Sequence, residues 1–95
     1  MNILRSNRII DGGVLMSEEE FYKWLGECLR DLRKSKKQTQ EEICQSYPLA
    51  RSSLANIERG RHMISAYNLY LLLHILEIPL ESLFNNLSYE GRNKS

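Results

Sequence analysis

Ninety-five residues, 42% of them apolar and 26% charged, suit one folded domain and exclude a disordered or membrane-embedded chain. The formal net charge is only +1, so overall composition does not single out a nucleic-acid binder. The charge is uneven, however, with seven Lys or Arg against three Glu between Arg33 and Arg61.

In chain order, residues 1–16 stand apart as a flexible arm or a small hairpin, because Asp11-Gly12 separates two short apolar stretches. Arg5 and Arg8 in this arm can reach a minor groove, and Met16 offers a second start. The opening "MNILRSNRIIDGG" lacks the apolar stretch of a signal peptide, and no run of about eighteen apolar residues follows. A cytoplasmic location without membrane contact is expected.

Ser17 and Glu20 have the spacing of a capping box. Phe21, Trp24, Leu25, Cys28, Leu29 and Leu32 then recur at helical intervals, which predicts a first helix with one apolar face. Lys23, Arg30 and Lys34 fall on its solvent side. Lys34 to Gln38 reads as a polar break. Thr39 and Glu42 repeat the capping signature for a short second helix that carries Ile43, Cys44 and Tyr47 and stops at Pro48. A third helix is predicted over Arg51 to Glu58, ended by Gly60. Ser65 caps a fourth through Leu76, and Pro79 opens a fifth through Phe84. The domain is expected to be all-α over residues 17–86, with a polar tail over 87–95.

Cys28 and Cys44 sit at apolar helical positions and read as buried, reduced thiols. With only His62 and His74 to join them, no metal-ligand spacing arises. No nucleophile, base and acid fall into a recognisable order, and no glycine-rich phosphate loop is present, so neither enzymatic activity nor a cofactor is expected.

Ile43, Tyr47, Leu49, Leu54 and Ile57 stand where two short, steeply crossed helices need a shared core, which is the geometry of a helix-turn-helix. In such a unit the second helix enters the major groove by its N-terminal end, turning Arg51, Ser52, Ala55 and Asn56 outward. Arg51 can place two donors on guanine, Asn56 can pair with adenine, Ser52 suits either kind of base edge, and Ala55 can touch a thymine methyl. Thr39 and Gln40 can meet phosphate at the start of the second helix, with Arg59, Arg61, Lys36 and Lys37 as further phosphate contacts.

From Leu25 to Phe84, "LRDLRKSKKQTQEEICQSYPLARSSLANIERGR" and "LYLLLHILEIPLESLF" resemble the Cro/C1-type helix-turn-helix proteins of phage repressors, restriction-modification controllers and antitoxins. The resemblance implies a compact five-helix, lambda-repressor-like domain. It also implies that Gln40 grips phosphate, that Arg51, Ser52 and Asn56 read bases, and that Arg33 and Glu58 form a structural salt bridge. Three residues depart from the family pattern: Pro48 replaces the glycine of the turn, Ala50 replaces the polar cap of the reading helix, at a cost of about 1 kcal/mol, and Cys44 replaces a small alanine, a mild change.

"YNLYLLLHIL" is apolar on all sides, and such a helix must be covered on all sides. A chain of this size buries only about 60–65% of its unfolded surface. Tyr70, Leu71, His74, Ile78, Leu80 and Leu83 are therefore expected to form a two-fold interface. Two functions fit. One is a homodimeric regulator, repressor or controller, on an operator near a promoter, with double-stranded DNA and RNA polymerase as partners. The other is an antitoxin or phage-type interaction protein that binds a toxin or similar partner through the fourth and fifth helices, with DNA binding secondary or lost.

Overall fold

A computed structural model describes residues 9–10 and 13–83. Two short strands, β1 (Ile9–Ile10) and β2 (Gly13–Val14), pair antiparallel with Ile9 opposite Val14 and Ile10 opposite Gly13. They precede the helical body, whose described elements are all helices. Arg5, Arg8, Phe84 and the tail over 87–95 lie outside the described residues.

The body begins at Ser17. Its Oγ accepts the Glu20 N–H at 3.1 Å, and Glu20 Oε1 accepts the Ser17 N–H at 2.9 Å, which closes a capping box on α1 (Glu18–Ser35). Three glutamates fill the first turn and Arg33 and Lys34 the last, each sign at the helix end that favours it. The helix runs further than its polar sequence suggests. Lys34 and Ser35 are helical, and the break comes at Lys36 and at Lys37, whose φ of 58° is left-handed. The Gln38 N–H donates to Arg33 O and the Lys37 N–H to Lys34 O, so carbonyls at the helix end find donors in the link.

Thr39 caps α2 (Gln40–Ser46) with the same reciprocal pair, its Oγ1 accepting the Glu42 N–H at 3.0 Å and its own N–H donating to Glu42 Oε1 at 2.8 Å. Tyr47 is extended, at φ −107° and ψ 134°, the conformation that a following proline imposes. The link to α3 (Arg51–Glu58) contains no positive φ, and Ala50 enters that helix extended with no side-chain cap. Pro48 is thus accommodated by a turn that never visits the left-handed region where glycine is favoured. Gly60, with φ 77°, closes α3 as the Arg61 N–H reaches Asn56 O at 2.8 Å and its own N–H reaches Ile57 O at 3.0 Å. Ser65 caps α4 (Ala66–Leu76) through its Oγ to the Asn68 N–H. Glu77 ends it in the left-handed region, at φ 60°, with the Ile78 N–H on Leu73 O. A fifth helix, α5, begins at residue 80 and is described through 83.

Leu25 and Leu29 of α1, Ile43, Tyr47, Leu54, Ile57, Ile64, Leu72, Leu73, Leu76 and Leu83 make one core. Phe21, Trp24, Leu32 and Leu49 pack around it half-buried. Tyr47 is a core residue, and its hydroxyl donates to Asn68 O at 3.0 Å, which ties the end of α2 to α4. Burial pushes its phenol up to about 12. Cys28 and Cys44 are half-buried rather than buried, and no disulfide joins them. Burial also pushes the Cys44 thiol up, which keeps it protonated.

The surface expected at a two-fold needs correction. Leu83 is only 1% exposed and belongs to the chain's own core, and Leu71 and Ile78 are half-buried against that core. Leu83 lands there because α5 turns back onto the body after Pro79, a long-range event that helical spacing does not encode. Tyr70 and Leu80 are exposed at 59% and 45%, His74 is exposed, and Tyr67 and Met63 join them at 67% and 66%. Among the described residues, no helix is long and apolar enough to cross a membrane, and no cluster of His, Cys, Asp or Glu could hold a metal.

Candidate nucleic-acid interface

Glu58 is where three helices meet. Its buried carboxylate accepts Arg33 Nε at 2.7 Å on Oε2 and Arg33 Nη2 at 2.9 Å on Oε1, a two-pronged pair in which the planar guanidinium matches the carboxylate. Oε1 also accepts Gln40 Nε2 at 2.9 Å, and Arg33 Nη1 donates to Gln38 O at 2.7 Å. The carboxylate thus receives three donors from α1 and α2 while seated on α3. The hydrogen bonds to Glu58 outweigh the cost of burial and hold the Arg33 guanidinium above its ordinary range.

Gln40 occupies the first position of α2 and has one of its two amide hydrogens committed to Glu58. Its second amide hydrogen, its carbonyl oxygen and the helix N-terminus remain to face solvent. Thr39 is exposed, with its backbone N–H and hydroxyl oxygen both used in capping; only its hydroxyl hydrogen is left to donate outward.

Two glycines set how closely the helices approach. At Gly26, in the middle of α1, a Cβ would stand 2.4 Å from Ile57 O and 2.7 Å from Glu58 O. At Gly60, a Cβ would stand 2.8 Å from the Lys23 Cα, and the positive φ disfavours a side chain on its own account. The end of α3 and the segment after it are therefore pressed directly onto α1.

On this seam the outward face of α3 stands clear. Arg51 and Ser52 are exposed at the first two helical positions, and Ala55 and Asn56 are half-buried one turn later. Beside them runs an open groove lined by Lys23, Glu27, Arg30, Arg33, Lys34, Gln40, Ala55, Glu58, Arg59 and Arg61. With Arg33 and Glu58 neutralising one another, five cations face one carboxylate in it, so the groove carries a formal +4 on a chain whose total is +1. Lys36 and Lys37 lie in the exposed link before α2 and do not line it. Lys23, Arg30 and Lys34 are exposed, as the solvent side of α1 requires, and helical spacing puts them on one stripe; what that stripe faces depends on the two glycine contacts.

The Helix-turn-helix domain family model matches residues 26–88, well over half of the chain. The chain belongs to the helix-turn-helix family. It is of the Cro/C1 type, with α2 and α3 as the paired helices. Among solved structures, the clp gene regulator ClgR from C. glutamicum shares the fold of this helix-turn-helix domain. Its TM-score is 0.68 at 22% identity, over 80% of this chain and 94% of that one. No curated protein sequence matches the chain.

Proposed function

We propose that the protein is a transcriptional regulator that binds duplex DNA in a sequence-selective manner as a homodimer, acting as a repressor or controller at an operator near a promoter. The observation that carries this reading is the pairing of the exposed N-terminal face of α3 with a +4 groove at its side. A reading face without a phosphate anchor would bind weakly, and an anchor without polar side chains aimed outward would bind without choice. The regulator ClgR, a gene regulator on the same fold, supports it.

In this mechanism α3 enters the major groove by its N-terminal end. Arg51 takes a guanine edge and Asn56 an adenine edge, Ser52 adds a hydroxyl, and Ala55 leaves room for close approach. Gln40, Thr39, Arg59 and Arg61 hold phosphates, and Lys36 and Lys37 add looser contacts. Glu58 fixes the angle between α2 and α3 through Gln40, so that phosphate grip and base reading share one frame. The exposed Tyr67, Tyr70, His74 and Leu80 would meet their own copies across a two-fold, setting the two α3 helices about 34–36 Å apart on a near-palindromic site.

The test is binding to a duplex carrying the gene's own upstream region and to a scrambled duplex, at two salt concentrations, followed by selection from a random pool. Selective binding that weakens with salt is expected. The Arg51→Ala variant should lose about 1–3 kcal/mol on the selected site and relax the preference at one base pair. An unchanged preference would remove Arg51 from the reading role. A lack of selectivity across the pool would shift the function to a protein partner on the α4 face, the antitoxin-like alternative.

A further inference from the structure

Lys23, Glu27, Arg30 and Lys34 follow one another along α1 at intervals of four, three and four residues, so they form a single stripe. All four are exposed, and all four line the groove beside Ala55, Arg59 and Arg61. None of the four takes part in an ion pair with another described residue. Arg33–Glu58 is the one ion pair among the described residues, and Lys23, Arg30, Lys34, Arg59 and Arg61 have no carboxylate partner there. Five unpaired cations held in one groove repel each other, and a polyanion laid between them relieves that repulsion. Close docking of Gly60 on the Lys23 backbone brings the Arg59 and Arg61 side of the groove to the α1 side.

We propose that this stripe is a second phosphate track. The sugar-phosphate backbone of the duplex read by α3 lies in the groove, with Lys23, Arg30 and Lys34 on one side and Arg59 and Arg61 on the other. The assignment rests on the DNA-reading role given to α3 and extends its footprint past the base pairs that α3 touches. The dimensions agree. Eleven residues of helix separate Lys23 from Lys34, a rise of about 16 Å, and one strand offers a phosphate per about 3.4 Å of duplex axis, so each cation can meet a phosphate of its own. Ala55 belongs both to this groove and to the outward face of α3, which makes the two surfaces continuous. Glu27, in the middle of the stripe, opposes the phosphates and moderates the grip.

The test compares the full chain with a Lys23→Gln/Arg30→Gln/Lys34→Gln variant and with Glu27→Gln on the site selected from a random pool. These positions are exposed, and a thermal unfolding scan of each variant is the check that it folds. The triple variant should bind roughly ten- to hundred-fold more weakly at moderate salt. Its slope of log affinity against log salt should be shallower by about 2–3, at about 0.9 for each phosphate released, with base preference unchanged. Glu27→Gln should bind more tightly, which a merely structural role for the stripe would not produce. Parental affinity and slope in the triple variant would overturn the track while leaving the reading by α3 intact. If the parent binds duplex without selectivity, the reading fails, yet the loss in the triple variant still reports on the groove. A parent that binds no duplex, or that prefers single-stranded RNA of equal length, would overturn both assignments.

Discussion

The seam at Glu58 and the outer face of α4 are built on opposite rules. At the seam the buried carboxylate has three donors, and the backbones of α1 and α3 approach to where only glycine fits. On α4 the rings of Tyr67, Tyr70 and His74 form a row with successive centroids 6.3 and 6.4 Å apart, yet they remain exposed. The first region is complete within one chain. The second has apolar surface that gains from a cover, since aromatic side chains left in water forgo the burial that would stabilise them. Polar groups have thus been taken into the interior where they fix helix angles, and apolar ones left outside where they can join chains.

The contrast can be broken most forcefully at Glu58. Glu58→Ala leaves the Arg33 cation largely buried with one carbonyl partner and leaves Gln40 without its tie. A loss of about 3–5 kcal/mol is expected, measured by denaturant unfolding. Changing both ends to apolar residues, as in Arg33→Met/Glu58→Leu, should cost less than the single change, because no uncompensated charge is then left inside. A loss under about 1 kcal/mol for Glu58→Ala would mean that the seam does not hold the fold.

Gly26→Ala comes next, and two effects compete there. Alanine favours the helix by about 1 kcal/mol, whereas a Cβ at 2.4 Å from one backbone oxygen and 2.7 Å from another must push α1 off α3, at up to about 3 kcal/mol. The clash should win, giving a net loss of about 2 kcal/mol in the same unfolding measurement. A stabilised variant would show that the seam yields, and that close contact is not what sets the groove beside α3.

Sequence made the fold legible where the signals are short-range. The capping boxes at Ser17 and Thr39, the stop at Pro48 and the close at Gly60 each involve residues within a few positions of one another, and the helices follow from them. The outward placement of Arg51 and Ser52 on α3 was legible for the same reason, since helical spacing alone turns them to solvent. Long-range partners were less so. Gln40 and Glu58 are eighteen residues apart, and Gln40 read in isolation offers itself to phosphate with no hint of the carboxylate that holds it. Gly26 in a helix reads as a mere penalty until the carbonyls opposite it are known. Leu83 looked like interface because periodicity cannot tell a core covered by its own chain from one covered by another.

The smallest effect on folding, and the one that sharpens the contrast most, belongs to Tyr70. At 59% exposure its ring touches only its neighbours in the row, Tyr67 at 6.3 Å and His74 at 6.4 Å between centroids, and is otherwise open to water, so Tyr70→Ser should change the stability of the dilute chain by no more than about 0.5 kcal/mol. Association should respond quite differently. If the row of rings is the centre of a two-fold interface, removing one ring from each copy deletes two aromatic anchors at once. Sedimentation over a concentration series should then show dimerisation weakened at least about ten-fold. A variant that unfolds easily when dilute would place Tyr70 in the protomer's own packing. A variant that folds and dimerises as the parent does would move the two-fold off this row of α4. Only a normal protomer with impaired assembly fits a face kept apolar for the sake of a second chain.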